Sequence, residues 1–227
     1  MAAIHTMLTE YEHEPVPGLP QELPDGEEML WQGSPRWQSL AVHVFHARKV
    51  AVYFALLALW RVASGLHDGQ AFAEYANSLA MLLVVGIAGV GMLTLLAWLN
   101  GRATIYTITN RRLVLRIGVA LPMMVNLPFR VVESAALRTF RDGSGDIPLT
   151  LDAATRVGYL NLWPHVRPWQ IKRPQPALRA VPDVAGVARI LSAALAGTAG
   201  ASAAHGVDAV PTVPANAASS GPLVHAA

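Results

Sequence analysis

Apolar residues along this chain fall into runs of different period, and each period predicts a different element. Residues 79–99 (LAMLLVVGIAGVGMLTLLAWL) are 21 positions with no charge and a single hydroxyl, Thr94. Wound as a helix, this run is about 31 Å long, the thickness of a bilayer core of about 30 Å. The core helix of a soluble protein is normally shorter and keeps a polar face, so the run predicts a transmembrane helix. Residues 50–66 (VAVYFALLALWRVASGL) are 17 positions with Arg61 inside them. They read as a second span, from about residue 48, once Arg48, Lys49 and Arg61 extend toward the headgroups. Trp60 and Trp98 stand near the ends of the two runs, where aromatic belts form. Upstream, residues 37–47 (WQSLAVHVFHA) mix apolar positions with His43 and His46 and predict an interfacial helix leading into the first span.

From Arg102 onward the period shortens to that of strands. Residues 104–109 (TIYTIT) alternate, Asn110-Arg111 supplies a turn, and 112–117 (RLVLRI) alternate again, which predicts a β-hairpin. Further strands are expected at 123–127, 131–140, 147–151 and 156–162, with Asp142-Gly143-Ser144-Gly145-Asp146 as a loop. Several short strands in so few residues suggest a compact barrel or sandwich. Residues 182–195 then form one amphipathic helix, with Val184, Val187, Ile190 and Leu191 on the face that caps an open barrel end. Strands closed by a single helix are the order of a pleckstrin-homology-like (PH-like) domain. The last 32 residues, from Ala196, are mostly Ala, Gly, Ser and Pro with 11 alanines and no helical period, a composition that predicts disorder. The expected fold class is therefore an α+β membrane protein: a two-helix transmembrane hairpin, then a PH-like β-barrel or sandwich capped by a C-terminal helix. Its parts are an acidic, Pro-rich arm (1–36), the interfacial helix and spans (37–101), the PH-like domain (102–195) and the tail (196–227).

Composition sharpens this division. The chain is 53% hydrophobic and 14% charged, where a soluble protein averages about 25% charged. The net charge of +2 conceals a strong asymmetry. Residues 1–47 carry Arg36 against seven acids, and residues 100–195 carry thirteen bases against five acids. The connection 67–78 holds Asp68 and Glu74 but no Lys or Arg, while Arg48, Lys49, Arg102, Arg111 and Arg112 flank the other helix ends. The positive-inside rule then puts both termini in the cytoplasm of a multi-pass bacterial inner-membrane protein. The first 47 residues lack a basic start followed by an apolar run, so the spans themselves are expected to direct insertion. Small residues form stripes, Ala51, Ala55 and Ala58 on the first span and Gly86, Gly89 and Ala97 on the second. Such stripes let backbones approach closely, either within the hairpin or against another membrane protein.

Candidate chemistry is sparse. There is no cysteine, which excludes disulfides, thiolate metal sites and thiol nucleophiles. No nucleophile with a base, carboxylate pair or metal cluster is spaced for catalysis, so no enzyme activity and no cofactor is expected. Asp142 and Asp146 read as turn residues around Gly-Ser-Gly. His43 and His46 sit near the basic end of the first span, where packing is a better account than ligation. The most distinctive segment is Leu162-Trp163-Pro164-His165-Val166-Arg167-Pro168-Trp169, followed by Lys172 and Arg173. Two prolines stiffen it and two indoles flank a histidine and an arginine, a composition found at binding surfaces. Trp163, His165, Arg167, Trp169, Lys172 and Arg173, with Arg111 and Arg112, are the candidate contacts for a protein or an anionic lipid headgroup. The alternative is a structural loop whose indoles cover the barrel. Nucleic acid is not expected, because no recognition helix or stacking platform accompanies the basic residues.

Several segments together resemble a known family. They are EPVPGLP at 14–20, LPDGE at 23–27, LWQGSP at 30–35, YFALLALWRV at 53–62, YTITNRRLVLRIG at 106–118 and LWPHVRPW at 162–169. These look like the PuhB family of photosynthetic-complex assembly proteins of purple bacteria, over roughly residues 10–195. The resemblance implies a non-enzymatic inner-membrane factor that transiently contacts reaction-centre and core light-harvesting subunits, encoded beside the reaction-centre H subunit. It carries over no catalytic residue and no bound pigment, and neither span contains a histidine for an axial ligand. The residues alone leave a second reading open, a membrane-tethered PH-like module that binds anionic lipid or peptide in an envelope or stress role. A homodimer also remains open.

Overall fold

The computed structural model describes residues 18, 19 and 22–207. Strand β1 (Met29–Gly33) comes first, followed by a helical turn α1 (Trp37–Ser39) that passes into a π-helical turn at Leu40–Val44. Two long helices follow, α2 (Ala47–His67) and α3 (Phe72–Ala103). The remainder is β2 (Ile105–Thr109), β3 (Arg112–Ile117), β4 (Met123–Pro128), β5 (Val132–Ala135), β6 (Arg138–Thr139), β7 (Gly145–Leu151), a short α4 (Tyr159–Leu162), β8 (Ala177–Val181) and α5 (Val184–Val207).

Helices α2 and α3 pack antiparallel around a tight turn, and both are long and apolar enough to cross a membrane, with mean hydropathy 1.5 and 2.5. Only 6% of each apolar window is buried, so their apolar surface faces outward, unlike a soluble core helix. α3 is 32 residues, about 48 Å at 1.5 Å per residue, which is longer than the 21-residue run. The expected connection at 67–78 therefore shrinks to 68–71, because Phe72–Ser78 winds onto the helix. These added residues, about two turns, give Arg61 its setting: Nε donates to Ser78 Oγ at 2.8 Å and the guanidinium lies over the Tyr75 ring, 5.2 Å from its centroid. A basic residue inside an apolar helix is satisfied in this way at the loop end of the hairpin.

The β region is two antiparallel sheets. One has the order β1-β2-β3-β4. In the other, β7 pairs with β8 on one edge and with β5 and β6 in succession on the opposite edge, Ala135 facing Leu149 and Arg138 facing Asp146. The hairpin read at 104–117 is present, with Ile108 opposite Leu113. A closed barrel is not formed. Among the described residues no strand joins the two sheets, because β4 stops at Pro128 and the 3₁₀ turn Phe129–Val131 carries the chain across to β5. The core lies between the sheets and under α5. Tyr106, Ile108, Leu113 and Leu115 meet Ile147, Leu149 and Leu178, and Val184, Val187 and Leu191 close over them.

Four expectations are corrected. The strand expected at 131–140 is split at Ala136-Leu137 into β5 and β6. That at 156–162 is instead a loop and α4, since Thr155 N–H donates to Asp152 Oδ1 at 2.8 Å in a side-chain-capped turn and Gly158 and Pro164 bracket the rest. The capping helix does not stop at residue 195 but continues through Val207. Its continuation is alanine-rich, alanine being the best helix former, and Thr198 Oγ1 donates to Asn110 O at 3.3 Å. Residues 208–227 lie outside the described residues. Finally, the described part of the acidic arm is not a separate segment. Met29–Gly33 adds a strand to β2, Arg112 Nε donates to Glu27 Oε1 at 2.7 Å, and Leu19 is buried. Residues 1–17, 20 and 21 lie outside the described residues.

The turn expected as an interfacial helix also packs inward. Leu40, Ala41 and Phe45 form a second core with Ala97 of α3 and Ala180 of β8. Ser39 Oγ is 2.7 Å from Ser144 Oγ, and Arg36 N–H donates to Ala180 O at 2.8 Å. His43 stacks flat on Phe140 with centroids 3.8 Å apart. These contacts fix the root of the helix pair to the sheets.

Candidate functional site

The LWPHVRPW segment divides its residues between the interior and the surface. His165 is fully buried, so it is not the partner or lipid contact expected of it. Its Nε2 is 3.0 Å from Thr104 Oγ1, at the C-terminal end of α3, and its Nδ1 is 2.6 Å from Tyr106 OH on β2. The phenol oxygen already accepts Arg179 N–H at 3.1 Å. The Thr104 and Tyr106 hydroxyls thus hold both ring nitrogens, one as donor and the other as acceptor. Burial first, and the Arg179 guanidinium second, lower the His165 pKa from 6.5 to about 3, so the ring is neutral. Burial likewise raises the Tyr106 phenol above its ordinary value.

Arg179 and Asp146 complete the network. Arg179 Nε lies 3.3 Å from Asp146 Oδ1 and Nη1 donates to Val166 O at 3.0 Å, with both side chains buried. Strand β8 has a bulge here: from Gly145↔Val181 to Ile147↔Leu178, it spends one more residue than β7. Ala180 takes a left-handed φ of 51°. The bulge removes two amides from the ladder, and side chains replace their partners, Tyr106 OH for Arg179 N–H and Asp146 Oδ1 for Ala180 N–H at 3.0 Å. Asp146 is thus a buried strand residue and not the turn residue expected. Asp142 does keep turn chemistry, accepting from Ser144 N–H and Oγ–H, and these hydrogen bonds hold its carboxyl below the ordinary value.

The rest of the segment faces out. Trp169 is 90% exposed with φ 67°, and Trp163 is 54% exposed and packs edge-on to Phe45 at 5.7 Å. The Trp163-Pro164 peptide is cis. Arg167, Lys172 and Arg173 are exposed, and Arg167 donates to Gln175 Oε1. A groove of about 830 Å³ runs between 150–161 and 170–175. Arg111 and Arg112 are not part of this surface. They lie at the β2–β3 turn, about 17 Å along β2 from the end of α3, and Arg112 is committed to Glu27.

The helix-packing candidates also separate. Gly86 abuts Phe54, so that an added Cβ would lie 2.9 Å from its Cγ, and Ala97 is buried in the second core. Ala51 and Ala55 are exposed, Ala58 is half-buried, and Gly89 has open space where a Cβ would be. Among the glycines of the hairpin the tightest is one the stripes did not indicate, Gly65 against the Tyr75 ring, 2.6 Å from an added Cβ. Among the described residues no cluster of three or more His, Asp or Glu could hold a metal ion.

The family described as bacterial PH domain matches residues 46–195, which includes both long helices. The chain belongs to that family. A relative from Rhodobacter capsulatus, named "Uncharacterized 23.7 kDa protein in puhA 5'region", is 41% identical over 186 residues, 82% of this chain and 87% of its own length. No solved structure matches the chain. The match also spans β2 to β8 and the start of α5, whereas β1 lies before it. The buried quartet of Tyr106, Asp146, His165 and Arg179 went unrecognised in the sequence because its members come from four separate segments. His165 is singled out there, but as an outward contact, and Asp146 as a turn residue; the alternation at 104–109 is the signal that could have placed Tyr106 inward.

Proposed function

We propose that the chain is a non-enzymatic inner-membrane assembly factor for the photosynthetic reaction centre and its core light-harvesting complex, acting through transient protein contacts. The observation that carries this reading is the relative named for the puhA 5′ region, 41% identical over 82% of this chain. It agrees with the photosynthetic setting that the PuhB-like segments imply. In this reading α2 and α3 cross the membrane with both chain ends in the cytoplasm. The antiparallel hairpin supports that topology, since it brings Arg48, Lys49 and Arg102 to one end and Asp68 and Glu74 toward the other. The outward apolar surface of the hairpin, including Ala51, Ala55 and Gly89, is available to client helices. The buried, neutral His165 and the ion-paired Asp146 are structural groups, which fits a role without catalysis.

Deleting the gene in a photosynthetic host is expected to lower assembled reaction-centre and core antenna complexes while leaving pigment synthesis intact. Absorption spectra of membranes and of pigment extracts measure the two separately. Unchanged complex levels would refute the proposal.

A further inference from the structure

The two loops that carry the most exposed large apolar residues of the β region have their roots at one end. Strand β2 starts directly after Thr104, the residue that ends α3, and Ile105 faces Arg116 across the ladder. The β3–β4 turn, residues 118–122, therefore returns to the end where the helices enter. There Leu121 is 84% exposed and Val119 44%. The second loop has its root at the same end, since His165 bonds to Thr104 and Trp163 packs on Phe45, two residues before α2 begins. From that root the chain makes an excursion closed by Arg167 N–H to Gln175 O and by the Val166–Pro176 bridge. It carries Trp169 at 90% and Ile171 at 67% exposure, with Leu160 at 85% beside it. Leu121, Leu160 and Trp169 are the most exposed large apolar residues of the whole β region.

Tryptophan is usually well buried, and patches of this kind mark interaction surfaces. Charge indicates which one. From residue 153 to 182 the sequence has no acid, while Arg167, Lys172 and Arg173 stand exposed among the apolar side chains. Leucine and tryptophan mixed with Lys and Arg are the composition that settles at an anionic headgroup layer. A protein client would find the same residues, but continuity with the roots of two outward-apolar helices favours lipid.

We propose that the β3–β4 turn and the 160–173 loop form a two-pronged foot that dips into the headgroup layer of an anionic bilayer and sets the β region against it. The inference rests on the reading that α2 and α3 cross the membrane. Because the chain has no cysteine, single nitroxide labels report cleanly from Leu121→Cys and Trp169→Cys, with Ile87→Cys in the helix pair and Arg111→Cys at the distant turn as references. The full chain is reconstituted in phosphatidylcholine, alone or mixed with phosphatidylglycerol, and collision with oxygen and with an aqueous nickel chelate is measured. In the mixed vesicles, labels at 121 and 169 are expected to be several-fold less accessible to the chelate than the label at 111. Phosphatidylcholine alone, or the Lys172→Glu/Arg173→Glu pair, is expected to return the 169 label toward the value at 111. Labels at 121 and 169 as accessible as 111, with the 87 label in lipid, overturn the foot alone. A chelate-accessible 87 label overturns the membrane reading and the foot with it. Shielding seen only after purified reaction centres are added overturns lipid in favour of a protein client.

Discussion

Acid should destabilise this protein through one buried imidazole. His165 is held neutral in the folded chain by burial and by Arg179, with its pKa lowered from 6.5 to about 3. Below pH 6.5 the unfolded chain binds a proton there that the folded chain refuses, so stability rises with pH across the window between the two values. Each pH unit inside the window is worth about 1.4 kcal/mol at this site. Acidification from pH ~7.5 to ~5 therefore removes roughly 2 kcal/mol, and, at about 2–4 °C per kcal/mol for a chain of this size, lowers Tm by about 4–8 °C. Asp142 does not confuse the reading. Its lowered carboxyl stabilises the fold above the ordinary 3.8 and loses that contribution only below it. The comparison variant is His165→Gln, which cannot titrate. It gives up part of the pairing to Tyr106 and Thr104, which costs about 1–3 kcal/mol at neutral pH, but its stability should fall less on acidification. Unfolding of the detergent-solubilised chain, followed by tryptophan fluorescence at both pH values, gives the two slopes. Other titrating groups are common to both proteins and cancel in the difference. Equal losses in wild type and His165→Gln would refute the argument.

Other outcomes follow from the same geometry. Arg179→Met leaves Asp146 buried without its counter-ion and should cost about 3–5 kcal/mol in thermal unfolding. Adding Asp146→Leu should recover only part of this, because Ala180 N–H then loses its acceptor. Gly86→Val places carbon against Phe54 and should destabilise the helix pair by about 1–3 kcal/mol, with relief from Phe54→Ala. Gly89→Ala, which meets open space, should leave stability within about 0.5 kcal/mol, so a loss of complex assembly with that variant would locate a client contact. Leu40→Ala empties a fully buried position at the root of the helices and should cost about 2–5 kcal/mol, with faster protease cleavage after Arg36.

The readings that held are those carried by period. The β2–β3 hairpin was legible because alternation and an Asn-Arg turn stand side by side in the sequence, and the two long helices because they are apolar on every face. Strand β1 was not legible, since MLWQG is a strand only when β2 offers it an edge. Strand β8 was hidden between prolines, and its bulge depends on acceptors from β2 and β7. Arg112 read as a free surface cation, yet Glu27, 85 positions earlier, pairs with it. LWPHVRPW was recognisable as unusual, but nothing local distinguishes a histidine that faces a client from one that completes a buried network.

By itself the sequence determined which segments are apolar and with what period, because hydrophobic run length and alternation act through local geometry. It also determined the absence of thiol chemistry and the sign of charge in each region. Only the tertiary structure decided which polar residues are internal. That depends on desolvation, and a side chain is desolvated by what folds over it from elsewhere: α3, β2, β7 and β8 close around His165 and make it a neutral strut. The same closure leaves Trp169 exposed and sets Trp163 against Phe45 at the helix root.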